Sequence, residues 1–335
     1  MKKIRLGILG ATGAVGREML RLLEEYQIPV EELRLLSGPK SEGTKLPYKG
    51  KRLAVRKADE ASFTGLDYVL GAAEAAVSRR FALAIRQSGA VYIDNSSAFR
   101  LDPEVPLVVP QINGGDAFAH RGVIANPNCS TIITLMAVAA IHKLSPIRSM
   151  VVSTYQAVSG AGVQGLRELE DEIAAYVQGQ QIEPSVFPAP IAMNLIPWIG
   201  EEQTNGYTDE EMKMQNEGRR ILHAPELSVS CTCVRVPVMR SHSISVSLWT
   251  EEKVAAEAAR KAISQFPGCR LYEDRSAHFP TPLDASGQDL VLVGRLREDL
   301  TQPNGLCLWC CGDQIRKGAA ANALEILQLL ENGQI

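Results

Sequence analysis

The stretch LGILGATGAVGREML, residues 6–20, places three glycines between an apolar run and an amphipathic pattern. Gly10, Gly13 and Gly16 directly follow a predicted strand at 4–9 and precede a predicted helix. Glycines at such positions let the backbone turn tightly and approach a pyrophosphate, while the helix N-terminus supplies free N–H groups and a partial positive charge. This context predicts a dinucleotide-binding βαβ unit, and a plain glycine turn is the alternative.

The rest of the first half alternates short apolar runs with helical patterns, which is typical of a parallel sheet with helices on both faces. We therefore predict an N-terminal doubly wound, Rossmann-type sheet within an α/β protein. The further strands are predicted at 33–36, 54–56, 68–70 and 91–93, and the helices at 17–26 and 78–88.

The pattern changes after Asn126-Pro127. A helix is predicted to begin near Cys129, and long β-branched runs at 150–154, 228–238 and 244–250 are separated by irregular stretches. Such runs favour a second, α+β domain with a mixed sheet. The final apolar run, 318–330, predicts a C-terminal helix. Two domains also agree with the length of 335 residues, which exceeds the size at which one core keeps growing.

The composition is that of an ordinary soluble enzyme, with 45% hydrophobic residues, 22% charged residues and a net charge of -3. No basic block suggests nucleic acid as a partner. The longest apolar run, Ile132 to Ile141, is too short to span a bilayer. Lys2 and Lys3 precede the glycine loop and no cleavage-like segment follows, so no signal peptide is predicted. We expect a cytoplasmic protein without a membrane partner.

The seven cysteines are an odd number scattered over a long chain, which favours reduced thiols over a disulfide framework. A metal site built from the CTCVRV and LCLWCC segments is the alternative. Both segments are apolar and strand-like, and they do not supply two Cys-x-x-Cys pairs, so buried structural thiols and no metal are predicted.

The tip of the second predicted strand bears on the choice of cofactor. It reads Leu35-Leu36-Ser37-Gly38-Pro39-Lys40, without the Asp or Glu that an NAD enzyme uses to hold the ribose hydroxyl. A hydroxyl at Ser37 and a cation at Lys40 favour a 2′-phosphate and hence NADP. A solvated loop charge is the alternative for Lys40.

The segment IANPNCSTIITLMAVAAIHKL, residues 124–144, places Cys129 at the start of a helix. The helix dipole and its free N–H groups favour the thiolate, so this cysteine is the candidate nucleophile. A cysteine that only packs at a helix start is the alternative, and the polar neighbours Asn128 and Ser130 disfavour it.

Five motifs, NPNCST, GATGAVG, NSSAFR, YQAVSGAG and RVPVMRSH, together resemble the aspartate-β-semialdehyde dehydrogenase family in its bacterial branch. With the KGAAANALEI segment, the resemblance extends over residues 7–322 and so over almost the whole chain. It implies an NADP-dependent enzyme that interconverts an acyl phosphate and an aldehyde through a cysteine thioester, in lysine, threonine and methionine biosynthesis. It also implies inorganic phosphate as a partner and a homodimer or homotetramer formed through the second domain.

The resemblance implies a domain division and a set of site residues. The nucleotide-binding domain would be 1–127 with 323–335, the C-terminal helix returning to it, and the catalytic and dimerisation domain would be 128–322. Cys129 is similar to the nucleophile, Gln156 to the residue that orients the substrate, and His242 to the general acid/base, a role suited to imidazole. The substrate-binding residues implied are Arg100 (phosphate), Asn128, Glu217 (amino group), Arg220 and Arg235 (carboxylate). The cofactor-binding residues implied are Gly10, Thr12, Gly13, Ala14, Val15, Gly16, Ser37, Lys40, Ser159, Gly160, Gly162 and Asn322.

Two positions depart from the family pattern. The family has Lys three residues after its substrate-binding Glu, where this chain has Arg220 after Glu217. It also has a glycine-rich turn after the fourth strand, where this chain carries Glu74. These differences concern the phosphate pocket and the details of NADP binding.

Two other functions are considered. An acyl-phosphate reductase for another substrate, such as N-acetylglutamyl phosphate, is disfavoured by Glu217, because an acetylated nitrogen carries no charge to pair. A non-catalytic relative is disfavoured because Cys129, Gln156 and His242 are all present.

Overall fold

The computed structural model describes residues 2–272 and 279–333. The chain forms two compact units, the first ending at Asn128 and resuming at Ala319, the second running from Cys129 to Gly318. The domain boundaries predicted from the sequence, after residue 127 and before residue 323, lie close to these positions. The predicted domain ranges also include residues 1, 273–278 and 334–335, which lie outside the described residues.

The strands of the described residues are β1 Ile4–Leu9, β2 Val30–Ser37, β3 Lys45–Tyr48, β4 Lys51–Ala54, β5 Arg56–Lys57, β6 Tyr68–Gly71, β7 Val91–Asp94, β8 Val123–Ala125, β9 Ile147–Ala157, β10 Ser228–Val236, β11 His242–Thr250, β12 Cys269–Leu271, β13 Val291–Glu298 and β14 Gly305–Gly312.

The α-helices of the same residues are α1 Ala14–Glu25, α2 Ala75–Gln87, α3 Pro110–Asn113, α4 Cys129–Leu144, α5 Gly162–Val177, α6 Asp209–Ile221, α7 Ala256–Ser264, α8 Pro282–Ala285 and α9 Ala321–Asn332. Among these residues, every helix is too short or too polar to span a bilayer.

The first unit contains a six-stranded sheet in the order β5-β2-β1-β6-β7-β8, in which all neighbours are parallel. The chain proceeds outward from β1 through β2 to β5 and then resumes on the other side of β1 with β6. The strand order therefore reverses between β1 and β6, and ligands of doubly wound sheets bind beyond the carboxyl ends of the strands at such a point. The predicted Rossmann-type sheet is confirmed.

Burial explains why this sheet forms. Ile4, Leu6 and Ile8 of β1 are fully buried, and α1 covers the sheet with an apolar face that includes Met19 and Leu22. Helix α9 joins the same core through side chains such as Leu324 and Leu327, so the predicted return of the C-terminal helix is confirmed.

The second unit contains a six-stranded mixed sheet in the order β10-β9-β11-β14-β13-β12. β10 runs parallel to β9 and β12 parallel to β13, and the other neighbours are antiparallel. Helix α4 packs on this sheet and against α6 and α7. All residues from Ser130 to Ile141 are buried, which explains the unbroken apolar run, because a helix enclosed on every side has no polar face.

Several elements differ from the sequence-based prediction. Helices α5 and α6 occupy stretches that were predicted to be irregular, and the strand predicted at 54–56 is the junction between β4 and β5. The helix predicted from residue 318 begins as a π-helical turn, Arg316–Ala320, before α9. Single π-turns often occur at functional sites, and Gly318 in this turn lies against Cys129, where an added Cβ would be 2.9 Å from the cysteine Cβ.

Candidate active site

The glycine loop of the first unit lies between β1 and α1. Gly10 has a φ of +89°, and a Cβ there would lie 2.4 Å from the Ala72 carbonyl oxygen. A Cβ on Gly16 would lie 2.3 Å from the Gly10 carbonyl oxygen. A Cβ on Gly13 would meet nothing nearer than 3.5 Å. The first and third glycines are therefore required by the fold, whereas the second leaves open space beside the backbone, as an approaching pyrophosphate requires.

Three hydroxyl groups meet at the tip of β2. Thr12 Oγ1 lies 3.0 Å from Ser37 Oγ and 3.1 Å from Ser41 Oγ, so Ser41 joins two hydroxyl residues of the predicted cofactor-binding set. Lys40 is exposed beside them in the short turn Pro39–Ser41. Hydroxyls and an ammonium are suitable donors for a phosphate group. Ser41 was missed because its approach to Thr12 depends on the turn that follows the strand.

Arg100 and Asn322 belong to a polar cluster of the first unit. Arg100 donates from Nε to the Asn126 carbonyl oxygen (3.0 Å) and from Nη2 to the Asn95 carbonyl oxygen (2.7 Å). Asn322 donates from Nδ2 to the Val108 carbonyl oxygen (2.9 Å) and to Asn126 Oδ1 (2.7 Å). Asn322 Oδ1 is buried without a hydrogen-bond partner among the described residues. A buried acceptor of this kind is costly unless a ligand donates to it. Asn128 is also buried in this unit.

The second unit brings four candidate residues to one end of its mixed sheet. Cys129 is the first residue of α4, Gln156 lies near the carboxyl end of β9, and Arg235 lies near the carboxyl end of β10. The parallel register pairs Arg235 with Gln156. His242 is the first residue of β11, which is antiparallel to β9. Strand ends and a helix start thus place the candidate nucleophile, acid/base and carboxylate clamp together.

Cys129 and His242 are in contact. The Cys129 Sγ lies 3.4 Å from His242 Nε2, and the other ring nitrogen, Nδ1, accepts a hydrogen bond from the Ala157 backbone N–H (3.1 Å). Burial, together with the nearby positive charge of Arg235, lowers the pKa of His242 to about 3, while Glu210 acts in the opposite direction. The imidazole is therefore neutral near pH 7.

Arg235 is buried, with 7% of its surface exposed. It donates from Nη1 to the Ala157 carbonyl oxygen (2.8 Å) and lies over the Phe187 ring, and it forms no ion pair among residues 2–272 and 279–333. Burial lowers the pKa of Arg235, while the charges of Glu210 and Cys129 act to raise it. A buried guanidinium that pairs with no carboxylate of the described residues is suited to receive the carboxylate of a substrate.

An acid that the sequence analysis missed faces this group of residues. Glu210, in the first turn of α6, accepts from Gln156 Nε2 (3.2 Å), and its charge acts on both Arg235 and His242. Its other oxygen, Oε2, lies 3.0 Å from Lys213 Nζ. Burial alone would lower the pKa of Lys213, but the Glu210 and Asp209 carboxylates outweigh it and the pKa is raised.

Glu210 and Lys213 have the Glu-x-x-Lys spacing that the resemblance implies, whereas the predicted pair was Glu217 with Arg220. Glu217 is buried on the same helix, seven residues or roughly 10 Å further along its axis. The spacing in the sequence DEEMK was a usable signal. The two acids that flank Glu210, Asp209 and Glu211, obscure this signal in the sequence.

The loop after β9 lies beside Arg235 and His242. A Cβ on Gly160 would be 2.7 Å from Arg235 Nη1 and 3.5 Å from His242 Cε1, so a side chain there would displace the Arg235 guanidinium. Ser159 accepts a hydrogen bond from Gln314, and Gly162 begins α5 with a φ of +76°. Gln314 also accepts from the Ser241 backbone N–H (2.8 Å), next to His242. This contact was not predicted, because residue 314 is distant in sequence from both partners.

None of the seven cysteines forms a disulfide in the described residues, and Cys129 lies against the His242 imidazole. Cys231, Cys233, Cys310 and Cys311 are buried, and burial raises the pKa of the Cys310 and Cys311 thiols. No group of three or more potential ligands among the described residues is arranged to hold a metal ion.

Comparison with known proteins identifies both units. The family model "Semialdehyde dehydrogenase, NAD binding domain" matches residues 5–120, and the model "Semialdehyde dehydrogenase, dimerisation domain" matches residues 138–317. The aspartate-semialdehyde dehydrogenase of Synechocystis sp. is 48% identical over 328 residues, which cover 98% of this chain and 97% of that relative.

Solved structures agree with this result. The crystal structure of aspartate semialdehyde dehydrogenase II from Vibrio cholerae, complexed with ASA, matches with a TM-score of 0.95 and 40% identity over 99% of both chains. The enzyme from Candida albicans, solved with NADP, shares the fold with a TM-score of 0.77 at 22% identity, over 98% of this chain and 99% of that one. On its sequence, its two matched domains and its fold, the chain belongs to the aspartate-semialdehyde dehydrogenase family.

Proposed function

We propose that this protein interconverts L-aspartyl-4-phosphate and L-aspartate-4-semialdehyde with NADP, through a thioester on Cys129, in lysine, threonine and methionine biosynthesis. The observation that carries the proposal is the contact between Cys129 Sγ and His242 Nε2 (3.4 Å) at the start of α4, beside the buried guanidinium of Arg235. A thiol, an imidazole and a carboxylate receptor are the groups that an acyl transfer on an amino-acid substrate needs.

In the oxidative direction the Cys129 thiolate attacks the aldehyde carbon and forms a thiohemiacetal, whose oxygen receives a hydrogen bond from His242. Loss of hydride from this carbon gives the thioester, and phosphate then displaces Cys129 to form the acyl phosphate. NADP, when bound, takes up the hydride in this direction and supplies it in the other. Burial of His242 beside the nucleophile supports exclusion of water from the thioester.

Substrate recognition is proposed to use charges of the second unit. Arg235 binds the α-carboxylate through its planar fork of donors. Glu210, in place of the predicted Glu217, pairs with the α-ammonium, and Lys213 is the cation of the phosphate pocket. The hydrogen bond from Gln156 to Glu210 supports this assignment. The phosphate-binding role of Arg100 and the roles of Asn128 and Arg220 stay predictions.

The cofactor is proposed to bind to the first unit. Gly13 with the N–H groups that begin α1 would receive the pyrophosphate, and Thr12, Ser37, Ser41 and Lys40 would receive the 2′-phosphate. The unsatisfied Asn322 Oδ1 fits the amide N–H of a nicotinamide. The nearby Ala14 and Val15 stay predicted contacts, as do Ser159, Gly160 and Gly162 of the second unit.

The oligomer is proposed to be a homodimer formed by one face of the mixed sheet. Strands β10, β9, β11 and β14 each contribute outward-facing side chains to this face. Within the described chain, this set of side chains carries no charge. The set contains Val151, Ser153, Tyr155, Ser230, Thr232, Val234, Ser245, Ser247, Cys307 and Trp309. An uncharged sheet face can pair with its own copy around a two-fold axis. Residence in the cytoplasm stays a prediction.

The rival reductase for an N-acetylated substrate is disfavoured by Glu210, because its carboxylate, which accepts from Gln156, would face a substrate nitrogen that carries no positive charge. The non-catalytic relative is disfavoured by the contact between Cys129 and His242, which a structural protein would not require.

The test is an assay of NADP reduction with aspartate semialdehyde, with and without inorganic phosphate. Turnover should require phosphate and should vanish in Cys129→Ala, which should still bind NADP and keep the parent's thermal midpoint. DTNB should modify one thiol rapidly in the parent and none rapidly in the variant. Phosphate-independent turnover, or activity of Cys129→Ala within tenfold of the parent, would contradict the proposal.

A further inference from the structure

The Arg235 side chain leaves most of its hydrogen-bond donors unused within the described chain. Nη1 donates to the Ala157 carbonyl oxygen (2.8 Å), and Nε and Nη2 form no hydrogen bond with the described residues. A guanidinium receives a carboxylate through two parallel N–H groups, which requires its plane to be held at a fixed angle. One hydrogen bond at Nη1 does not fix that angle, so a further contact is needed.

The Phe187 ring supplies this contact. Its centroid lies 5.7 Å from the Arg235 guanidinium carbon, within the range of a cation–π interaction. Such interactions are stronger where water is excluded, and Arg235 has only 7% of its surface exposed. The ring limits the angles that the guanidinium plane can adopt, and it leaves Nε and Nη2 available to a substrate.

The position of the ring depends on close packing with α5. A Cβ on Gly165 would lie 3.1 Å from Phe187 Cζ and 2.5 Å from the Val158 carbonyl oxygen, so the ring and the helix approach each other closely. Phe187 also packs against the buried apolar cluster that contains Val158 and Leu169. The ring is therefore in contact with α5 as well as with Arg235.

A buried carboxylate on α5 fixes the backbone that carries the ring. Glu168 has 6% of its surface exposed. Its Oε2 accepts from the Ser185 N–H (2.9 Å), the Ser185 hydroxyl (2.6 Å) and the Val186 N–H, and its Oε1 accepts from the Phe187 N–H (2.9 Å). Three consecutive backbone amides thus donate to one side chain, so Phe187 cannot move away without breaking hydrogen bonds to a charged group.

The same hydrogen bonds keep Glu168 ionised. Burial would raise the pKa of Glu168, but the hydrogen bonds from Ser185, Phe187 and Val186 outweigh it, and the pKa is lowered. The carboxylate is therefore charged near pH 7, and both of its oxygens act as acceptors.

The loop that Glu168 holds also fixes the backbone of Arg235. The Arg235 N–H donates to the Ile196 carbonyl oxygen (2.8 Å), and the Arg235 carbonyl oxygen accepts from the Ile196 N–H (3.1 Å). Residues 185–196 therefore contact both the main chain and the side chain of Arg235.

A second carboxylate on the same helix has a different bonding pattern. Glu172 is 4% exposed, and its Oε2 accepts from the Ile191 and Ala192 N–H groups (both 2.7 Å). Its Oε1 has no hydrogen-bond partner among the described residues. Glu168 thus uses both oxygens as acceptors, whereas Glu172 uses one, and Glu172 makes no hydrogen bond to the amides of residues 185–187.

We propose that Glu168 and Phe187 are positioning residues for Arg235, and that they determine the selectivity for an aldehyde that carries an α-carboxylate. Glu168 fixes the loop backbone, and the Phe187 ring fixes the plane of the guanidinium. This inference rests on the proposed function, in which Arg235 binds the α-carboxylate, and it extends that recognition to two residues that take no part in the chemistry at Cys129.

The test compares aspartate semialdehyde with 3-aminopropanal, which keeps the aldehyde and the amino group but lacks the carboxylate. Phe187→Leu keeps an apolar side chain and removes the aromatic face. Its kcat/KM for aspartate semialdehyde should fall roughly 5–30-fold, through KM with kcat nearly unchanged, while kcat/KM for 3-aminopropanal should match that of the parent. Equal losses on the two aldehydes, or a parent-like KM for aspartate semialdehyde, would overturn the role of Phe187.

Two glutamine variants on α5 form a matched pair. In Glu168→Gln the NH2 group must face a backbone N–H in either orientation, so selectivity should fall as in Phe187→Leu. In Glu172→Gln the amide oxygen can keep both hydrogen bonds, so the parent's selectivity should remain. Thermal midpoints show that each variant is folded, and Phe187→Leu tests the ring independently of Glu168. Equal selectivity of the two glutamine variants would overturn the role of Glu168.

Arg235→Lys separates this inference from the proposed function. If Arg235 binds the substrate carboxylate, the variant should lose roughly 10–100-fold in kcat/KM for aspartate semialdehyde relative to 3-aminopropanal. Unchanged selectivity in Arg235→Lys would contradict the carboxylate-binding role in the proposed function. Lost selectivity in Arg235→Lys, with parent-like selectivity in Phe187→Leu and Glu168→Gln, would contradict only the inference about these two residues.

Discussion

Glu210 and Glu217 lie on one helix, and their different surroundings allow a matched test of substrate binding. Glu210 contacts Gln156 and acts electrostatically on Arg235, so Glu210→Gln should remove the charge that pairs with the substrate ammonium. Hydrogen bonds to charged groups contribute about 1.5–3 kcal/mol, so KM for aspartate semialdehyde should rise roughly 10–100-fold. Steady-state kinetics of Glu210→Gln and Glu217→Gln measure this difference.

The Glu217→Gln variant is the control on α6, with its thermal midpoint measured because Glu217 is buried. It should keep the parent's KM. A large rise of KM in Glu217→Gln, with Glu210→Gln unchanged, would instead favour the residue predicted from the sequence.

Lys40 gives a second prediction, about the choice of cofactor. It is exposed next to the Thr12, Ser37 and Ser41 hydroxyls, and exposed ion pairs contribute only about 0.2–1 kcal/mol. Lys40→Ala should therefore raise KM for NADP by no more than about fivefold, leave KM for NAD almost unchanged, and have a smaller effect at high salt.

The competing group is Glu74, which is exposed as the N-cap residue of α2 and makes no side-chain capping bond. If Glu74 binds a ribose hydroxyl, Glu74→Gly should lower kcat/KM for NAD more than for NADP. A parent enzyme that prefers NAD, or equal weakening of both cofactors in Lys40→Ala, would contradict the role of Lys40.

Two glycines of the glycine loop are expected to have different roles, one in stability and the other in NADP binding. Gly16→Ala should destabilise the first unit by about 1–3 kcal/mol, a typical overpacking cost, because its Cβ would collide with the Gly10 carbonyl oxygen. Gly13→Ala should leave the thermal midpoint nearly unchanged, since its Cβ has room in the protein alone. It should raise the Kd of NADP at least tenfold if the pyrophosphate lies against this glycine.

Thermal unfolding and calorimetric titration with NADP measure the two effects. Unchanged NADP affinity in Gly13→Ala would contradict the pyrophosphate contact. Parent-like stability of Gly16→Ala would contradict the close packing of the loop.

The sequence predicts those structural elements that a local residue pattern encodes. Strand β1, the glycine loop and the start of α4 at Cys129 follow from apolar runs next to glycine or proline signals. Helix α6 was missed because Met214 and Ile221 supply a sparse apolar face among charged residues. Ser41, Gln314 and the Ala157 amide act through contacts between distant segments, which no local pattern encodes. The spacing between Glu210 and Lys213, by contrast, is a local pattern that indicates this acid from the sequence.

At the scale of the whole molecule, the uncharged face of the mixed sheet predicts how two copies associate. Val151 is 46% exposed in the single chain and lies on β9, between β10 and β11. In a two-fold interface each substitution occurs twice, so Val151→Lys would bury two unpaired charges. Since an unpaired buried charge costs several kcal/mol, the dimer dissociation constant should rise roughly 100-fold or more.

Sedimentation equilibrium of Val151→Lys against the parent measures this change, with circular dichroism to show that the chain remains folded. Leu300→Lys is the matched control, because Leu300 is 100% exposed and lies outside the four strands of the proposed face. The control should associate like the parent, since a lysine that stays in water loses no hydration. If Val151→Lys associates as tightly as Leu300→Lys, the dimer must use another surface of the second unit, and the absence of charge on this sheet face would need a different physical cause.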